Sequence, residues 1–335
     1  MTAVEEIYQA KESSKGSLLT MQNVVGVGVG YQNTGGKNTG NYAIVVMVSQ
    51  KLPVPALPRE AVLPKSVNGV LIDVIEVGEL RAFQSRSNRW RPAPGGVSVG
   101  HYKVTAGTLG AVVRDRNTGK RLILSNNHVI ANSNDAAPGD QILQPGPIDG
   151  GSRDSDTIAF LDRFCPIQFT LEPSTCEIAD TYAQLGNFLA ALIGSKHRLQ
   201  SQKFNPQAVN LVDAAVAKPV NDDDVLDEIL EIGEINGIAE GSLGMSIRKS
   251  GRTTSFTTGQ INLINATVDV SYGGGRTARF ENQLVSGPIS QGGDSGSLLV
   301  AGDSQRAVGL LFGGSNQSTI FNPIQAVLDC LEVDI

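Results

Sequence analysis

Over much of the chain apolar and polar residues alternate with a period of two, and glycine, asparagine or serine cuts the alternation at short intervals. That rhythm predicts strands and tight turns. Residues 3 to 15 have the spacing of a short polar helix, and NVVGVGVGY, NYAIVVMVS and NGVLIDVIEVG follow as three strands, so residues 1–81 are expected to form a small α+β domain. RAFQSRSNRWRPAPGG has no apolar period and is rich in Arg, Ser, Pro and Gly, which predicts a linker over 82–97. From 98 to 335 short runs succeed one another: TAGTLGAVVRD, RLILSNNHVI, AVNLVDAAVAK, GMSIRKSGRTT, TGQINLINATVDVSY, ENQLVSGPI, GSLLVAG and AVGLLFGG. Many short strands with glycine turns point to closed β-barrels and a mostly β fold. Two segments keep a helical period instead. IADTYAQLGNFLAALIGSKHRL is expected to be an inserted surface helix, and FNPIQAVLDCLEVDI a C-terminal helix that begins after proline.

Composition narrows the function. With 335 residues, 40% hydrophobic and 18% charged, the chain can bury a sizeable core, and its net charge of -6 argues against nucleic acid or an anionic membrane as partner. The apolar run FLAALIG is too short to span a bilayer, and the first residues, MTAVEEIYQAKESSKGSLL, lack the marks of a secretion signal, so a cytoplasmic location is expected. Cys165, Cys176 and Cys330 form no CxxC pair. They are read as reduced thiols, a bridge between Cys165 and Cys176 being the lesser alternative, and no metal site is indicated.

The stretch QGGDSGSLLV carries the candidate chemistry. Ser295 sits where glycines permit an unusual turn, directly before an apolar strand. A serine nucleophile needs a general base, and the chain holds three histidines, His101, His128 and His197. His197 lies in a polar helix end and His101 reads as a plain strand residue. His128 ends the run RLILS and faces a turn, so it is the expected base. Asp213 interrupts AVNLVDAAVA, where a carboxylate needs a partner, and is the expected acid behind it. Asp156 is a weaker rival, and Asp222, Asp223 and Asp224 read as a solvated run. Gly292 and Gly293 make cheap a turn in which the amides of Gly293 and Ser295 meet an oxyanion. An α/β-hydrolase elbow is disfavoured by Ser297 where glycine is required, and GVGVG and GGKNTG do not qualify as nucleotide loops.

SNNHV, LVDAAVA and GGDSGS, in that order, resemble the motifs of the chymotrypsin-like (trypsin-like) serine peptidases, over roughly residues 97 to 335. GVGVGY and AIVVMVSQKLP, together with TAGTLG and SNNHVIAN, resemble a bacterial subgroup distantly similar to the plant Narrow leaf trypsin-like proteins. The resemblance implies a double β-barrel and a serine endopeptidase with a His128, Asp213, Ser295 triad, acting on protein or peptide substrates without a cofactor. AVGLLFGGS resembles the strand lining the specificity pocket, which makes Leu311, Phe312 and Gly313 substrate-binding candidates. Ile289 takes the place of the acid at the base of trypsin pockets, and Leu311 that of a histidine in glutamate-specific relatives, so an apolar or small residue is expected before the cut bond. Trypsins pair the aspartate preceding the serine with a freshly cut N-terminus. For Asp294 this suggests cleavage of the linker near Gly95 or Val97. A weakly active scaffold whose N-terminal domain blocks the cleft and a protease that cuts only itself are the rival readings, and oligomerisation is left open.

Overall fold

The period-two pattern is realised as strands in a computed structural model whose described residues are 3–35, 37–58, 61–78 and 84–335. The chain divides into two compact units, Met1–Gln84 and Ser85–Ile335. In the first, helix α1 (Ala3–Leu19) lies on a sheet of β1 (Val24–Thr34), β2 (Lys37–Val48), β3 (Ser66–Val67) and β4 (Val70–Glu76), in the order β1-β2-β4-β3. Ile7, Ala10 and Leu18 of the helix bury against Ile44, Val46 and Val48, with Val27 and Val29 packed beside them. The intervening glycines of β1 point the other way. A Cβ would lie 2.5 Å from Met47 Cε at Gly26 and 3.0 Å from Val45 Cγ2 at Gly30, while at Gly28 it would meet nothing within 4 Å.

The second unit runs, in chain order, through β5 (Ala93–Gly95), β6 (Ser98–His101), β7 (Gly107–Thr108), β8 (Ala111–Asp115), β9 (Arg121–Ser125), the one-turn helix α2 (Asn127–Ile130), β10 (Gln141–Leu143) and β11 (Thr157–Phe164). An insertion follows: β12 (Leu171–Pro173), α3 (Glu177–Leu192) and β13 (Gln202–Phe204). Then come β14 (Ala215–Pro219), β15 (Val225–Ile229), β16 (Gly233–Glu234), β17 (Ser246–Gly251), β18 (Ser255–Gly273), β19 (Arg276–Ser286), β20 (Leu298–Ala301), β21 (Ala307–Gly314), β22 (Thr319–Pro323), α4 (Ile324–Leu331) and β23 (Val333–Asp334).

These strands make two barrels. The first sheet has the order β23-β8-β9-β14-β11-β10-β6-β7 and encloses Val99, Ile123, Ile142, Ile158 and Ala217. In the second, β19 bonds to β18 on one side and to β22 on the other, so the strands from β17 to β22 close on themselves around Ile247, Ile261, Leu299 and Phe321. Closure leaves no open edge on that ring. Helix α4 seals the seam. Its Val327, Leu328 and Leu331 meet Leu122 and Val216 of the first barrel and Leu298 and Leu310 of the second.

Two expectations are corrected here. Of the supposed linker, residues 82 and 83 lie outside the described residues, but from Ser85 onward the segment is built into the barrel. Arg86 is buried and donates to Gly96 O (3.1 Å), Ser250 Oγ (2.7 Å) and Glu231 (2.6 Å), while Arg91 donates to Gln144 Oε1 (2.7 Å) and Ala93 and Val97 are fully buried. Without an apolar period such a segment looks loose in sequence, yet arginines that satisfy buried acceptors anchor it as firmly as leucines would. The cysteines were also misread: Cys165, at the end of β11, is disulfide-bonded to Cys330 in α4, and Cys176 is the free, exposed thiol. The bridge ties the sealing helix to the first barrel across a separation of 165 residues. Replacing both partners by serine is expected to lower unfolding free energy by about 3 kcal/mol, the middle of the usual range for a disulfide. Denaturant unfolding checks this, and equal midpoints for parent and variant would contradict it.

Candidate active site

Strand β9 delivers the chain to Asn126 and His128 at its end. Asn126 Nδ2 donates to Asp213 O (2.6 Å), and His128 makes two bonds to the Asp213 carboxylate, from its amide (3.2 Å) and from Nδ1 (2.6 Å). Asp213 is fully buried, and its own amide donates to Asn322 Oδ1 (2.9 Å). A carboxylate accepts, so the bond places a proton on Nδ1, which in a neutral ring leaves the Nε2 lone pair free.

A third donor reaches the same carboxylate. The Tyr272 hydroxyl donates to Asp213 Oδ2 (2.7 Å), and its ring stands edge-on to that of His128, centroids 5.8 Å apart. Tyr272 lies near the tip of the long β18–β19 hairpin, whose register shifts between Leu263 and Ala266 and again between Ala266 and Val268. Asn265 and Asn282 take positive φ beside these irregularities, which bend the ribbon. Burial, reinforced by the negative charge of Asp213, pushes the phenol well above its usual range, so the hydroxyl stays protonated and can donate. Nothing in the alternating pattern of β18 marks Tyr272 out, and sequence reasoning missed it.

The turn around Ser295 is pinned from behind. Gly293 and Gly296 have φ of +98° and +96°, and a Cβ on Gly296 would lie 2.2 Å from Thr108 O. Gly292 has no such need: a Cβ there would meet nothing within 4 Å. Four successive carbonyls are turned inward and satisfied. Gly292 O accepts from Thr253 Oγ1 (2.8 Å), Gly293 O from Thr108 Oγ1 (2.9 Å), Asp294 O from Ser297 Oγ (2.6 Å) and Ser295 O from the Thr108 amide (2.7 Å). Among the described residues, the amides of Gly293 and Ser295 have no acceptor.

Asp294 fixes that turn. Its carboxylate accepts from the amides of Thr253 (2.8 Å), Thr254 (3.1 Å) and Gln291 (3.0 Å) and from Thr254 Oγ1 (2.6 Å), and it pairs with Lys249 Nζ at 3.2 Å. Both side chains are fully buried. Burial alone would raise the pKa of Asp294, but the Lys249 ammonium and the converging donors outweigh it and hold the carboxyl below its usual range. Burial pushes the ammonium down in turn, against the pull of Asp294. The cation that Asp294 lacked in sequence is therefore internal. Cleavage near Gly95 or Val97 is not needed to supply one, which corrects that expectation.

His128 and Ser295 line one cleft of about 820 Å³, and Leu311, Phe312 and Gly313 line it too. No hydrogen bond joins the imidazole to the hydroxyl among the described residues, a common state before substrate draws such groups together. Ile289 is a correction. Its side chain packs with the second barrel's interior and borders a separate groove, while its neighbour Ser290 faces the cleft and shares a hydrogen bond with Thr319 (2.9 Å). The remaining candidates sit elsewhere. His101 is buried, hydrogen-bonded to Asp140 (3.1 Å), and burial lowers its pKa; His197 is exposed after α3. Asp156 organises its own loop with Arg89 and Ser152, and Asp222 to Asp224 form an exposed turn.

No family model matches the chain. Over 107 residues it is 33% identical to Serine protease 1 of Streptomyces fradiae, covering 30% of this chain and 28% of that protein. Over 87 residues it is 38% identical to Serine protease 2 of the same organism, covering 24% and 44%. The chain thus spans less than half the length of these curated relatives. Among solved structures, the Nocardiopsis protease NAPase is 16% identical with a TM-score of 0.45, covering 72% of this chain and 98% of that one. Over these segments the chain is similar in sequence to named serine proteases.

The buried pair yields a pH-dependent expectation. Because the carboxyl of Asp294 is held below its unfolded value, its contribution to stability is present above about pH 4 and is lost as pH falls through the lowered value. Lys249→Met should cost about 3 kcal/mol at neutral pH, as an orphaned buried charge does, and less below pH 4. Denaturant titrations at both pH values measure this; a variant as stable as the parent at pH 7 would refute the role given to the pair.

Proposed function

We propose that the chain is a serine endopeptidase that works through an acyl-enzyme, with Ser295 as nucleophile, His128 as general base and acid, and Asp213 as the group that orients and charges His128. The observation that carries this reading is the 2.6 Å bond between His128 Nδ1 and a buried Asp213 in the cleft that Ser295 also lines. Ser295 Oγ attacks the scissile carbonyl while His128 Nε2 takes its proton. Negative charge then develops on the carbonyl oxygen, where the amides of Gly293 and Ser295 receive it. His128 returns the proton to the leaving amine, and a water molecule, deprotonated by the same ring, releases the acyl group. Asp213 stabilises the transient imidazolium, and Tyr272 holds the carboxylate in place for it.

Substrate would lie extended against the outer end of β21, gaining main-chain bonds as an added strand does. Among the described residues no carboxylate lines the cleft, whose ionisable lining residues are Lys103, His128 and Tyr272. A charged substrate side chain seated against the apolar Leu311 and Phe312 would be desolvated without compensation, so an uncharged residue, apolar or small, is the proposed preference before the cut bond. The Cys165–Cys330 bridge favours an oxidising compartment over the cytoplasm. Among the described residues no helix is long and apolar enough to cross a membrane.

Peptide-library hydrolysis tests the reading. Ser295→Ala and His128→Ala should each lower kcat by about a millionfold, the loss seen on removing either group from a comparable triad. Residual turnover near the parent's, or cleavage following Arg, Lys or Glu, would contradict the mechanism or the preference. Tyr272→Phe removes one donor to a buried carboxylate, and about 1.5 kcal/mol of transition-state support corresponds to a kcat roughly tenfold lower. An unchanged kcat would leave Tyr272 as a packing residue.

A further inference from the structure

Helix α3 is packed inside out. Its intermediate positions are Ala179, Asp180, Ala183, Gly186, Asn187 and Ala190, one small or polar face that the returning chain covers. Asn187 Nδ2 donates to Leu199 O (2.9 Å), Leu199 N donates to Asn187 Oδ1 (2.6 Å), and a Cβ on Gly186 would lie 2.5 Å from Leu199 Cδ1. The opposite face carries Ile178, Tyr182, Leu185, Leu189, Leu192 and Ile193, each more than half exposed and together spaced as a single stripe. No residue of the helix is buried. The insertion is carried by the short β12–β13 pair, which bonds to the second barrel at Leu171 and Thr277. A helix that buries Ala and Gly while showing Ile, Tyr and Leu to water reverses the usual preference, and contiguous apolar surface of this kind marks an interaction site.

The charges say what covers it. Glu177 and Asp180 occupy the first turn, the last turn has no basic residue, and Lys196, His197 and Arg198 follow directly after the helix, all exposed. The element is thus acidic where it starts and basic just beyond where it ends. Laid antiparallel on a second copy, Ile178 meets Ile193, Tyr182 meets Leu189, and Glu177 comes beside Lys196 of the other copy, each contact occurring twice about a two-fold axis. At roughly 100 Å² for each of six side chains the stripe offers on the order of 600 Å² per copy, and Phe188 at its margin brings this near the ~800 Å² of a standard interface. A helix built for a lipid surface would carry Lys or Arg along its polar face, and α3 has neither. We propose that the protein is a homodimer joined by antiparallel pairing of two α3 helices.

Sedimentation of the full chain tests this. The parent should be dimeric at micromolar concentration, and L185E/L189E monomeric with an unchanged circular dichroism spectrum, since both positions are exposed in the single chain. Orientation is read from the free thiol Cys176, which immediately precedes the helix. Antiparallel pairing holds the two Cys176 residues apart by about the 24 Å length of a 16-residue helix. Ile193→Cys should therefore give a covalent dimer on mild oxidation, through Cys176 of one copy, and the parent should not. A parent that is monomeric at high concentration, an L185E/L189E variant that stays dimeric, or a parent that cross-links through Cys176 alone would overturn the proposal. So would a monomeric parent that floats with phosphatidylcholine or phosphatidylserine vesicles, which would reassign the stripe to lipid.

Discussion

The buried ion pair between Lys249 and Asp294 is the constraint on which the reactive turn depends. A carboxylate sealed from water is costly unless charge and hydrogen bonds compensate it, and here one ammonium and four other donors converge on it. Those donors come from β17, from the turn that follows it and from Gln291, so the position of Asp294 is set by the second barrel itself. The peptide plane of Ser295 follows from that position. With the carbonyls of Gly292 and Asp294 bonded to Thr253 Oγ1 and Ser297 Oγ, the amides of Gly293 and Ser295, which point the opposite way in the same peptide planes, are left without an acceptor among the described residues. The proposed oxyanion site would thus be preorganised by the folded barrel and require no new chain end.

His128, the proposed base, is positioned by a separate set of constraints. Asp213 lies between the barrels, its amide bonded to Asn322 beside α4 and its carbonyl to Asn126, and Asn322 is in turn bonded to Gln283 (2.7 Å). The second barrel therefore fixes the acid on which the first barrel's histidine leans. The seam packing of α4, secured to β11 by the disulfide, keeps the two halves of the site in register.

Much of this was legible in the chain. Strand alternation gave away the barrels, a histidine at a strand end and an aspartate inside an apolar run stood out because each violates its local pattern, and the inserted helix and the helix after Pro323 were visible from their period. The missed features share one cause: each depends on a partner remote in sequence. Lys249 in SIRKSG looks like any solvated strand lysine until Asp294 is placed beside it. Tyr272 gains its role only through the bend of a hairpin, and Cys330 finds Cys165 only after both barrels have formed. The segment before Val97 has no apolar period because guanidinium groups do its anchoring. Ile289 was assigned by position alone, and one step along an extended chain exchanges the side chain that faces the cleft for the one that faces the core.

An internal lysine supplies the charge that Asp294 requires, so the uncut chain is expected to react without prior cleavage. The direct measurement is intact-mass spectrometry after reaction with a fluorophosphonate. The account requires the adduct, located at Ser295, on a chain still continuous from its N-terminal unit through the barrels. Labelling confined to a chain that begins near Gly95 or Val97, with the continuous chain unreactive, would contradict it.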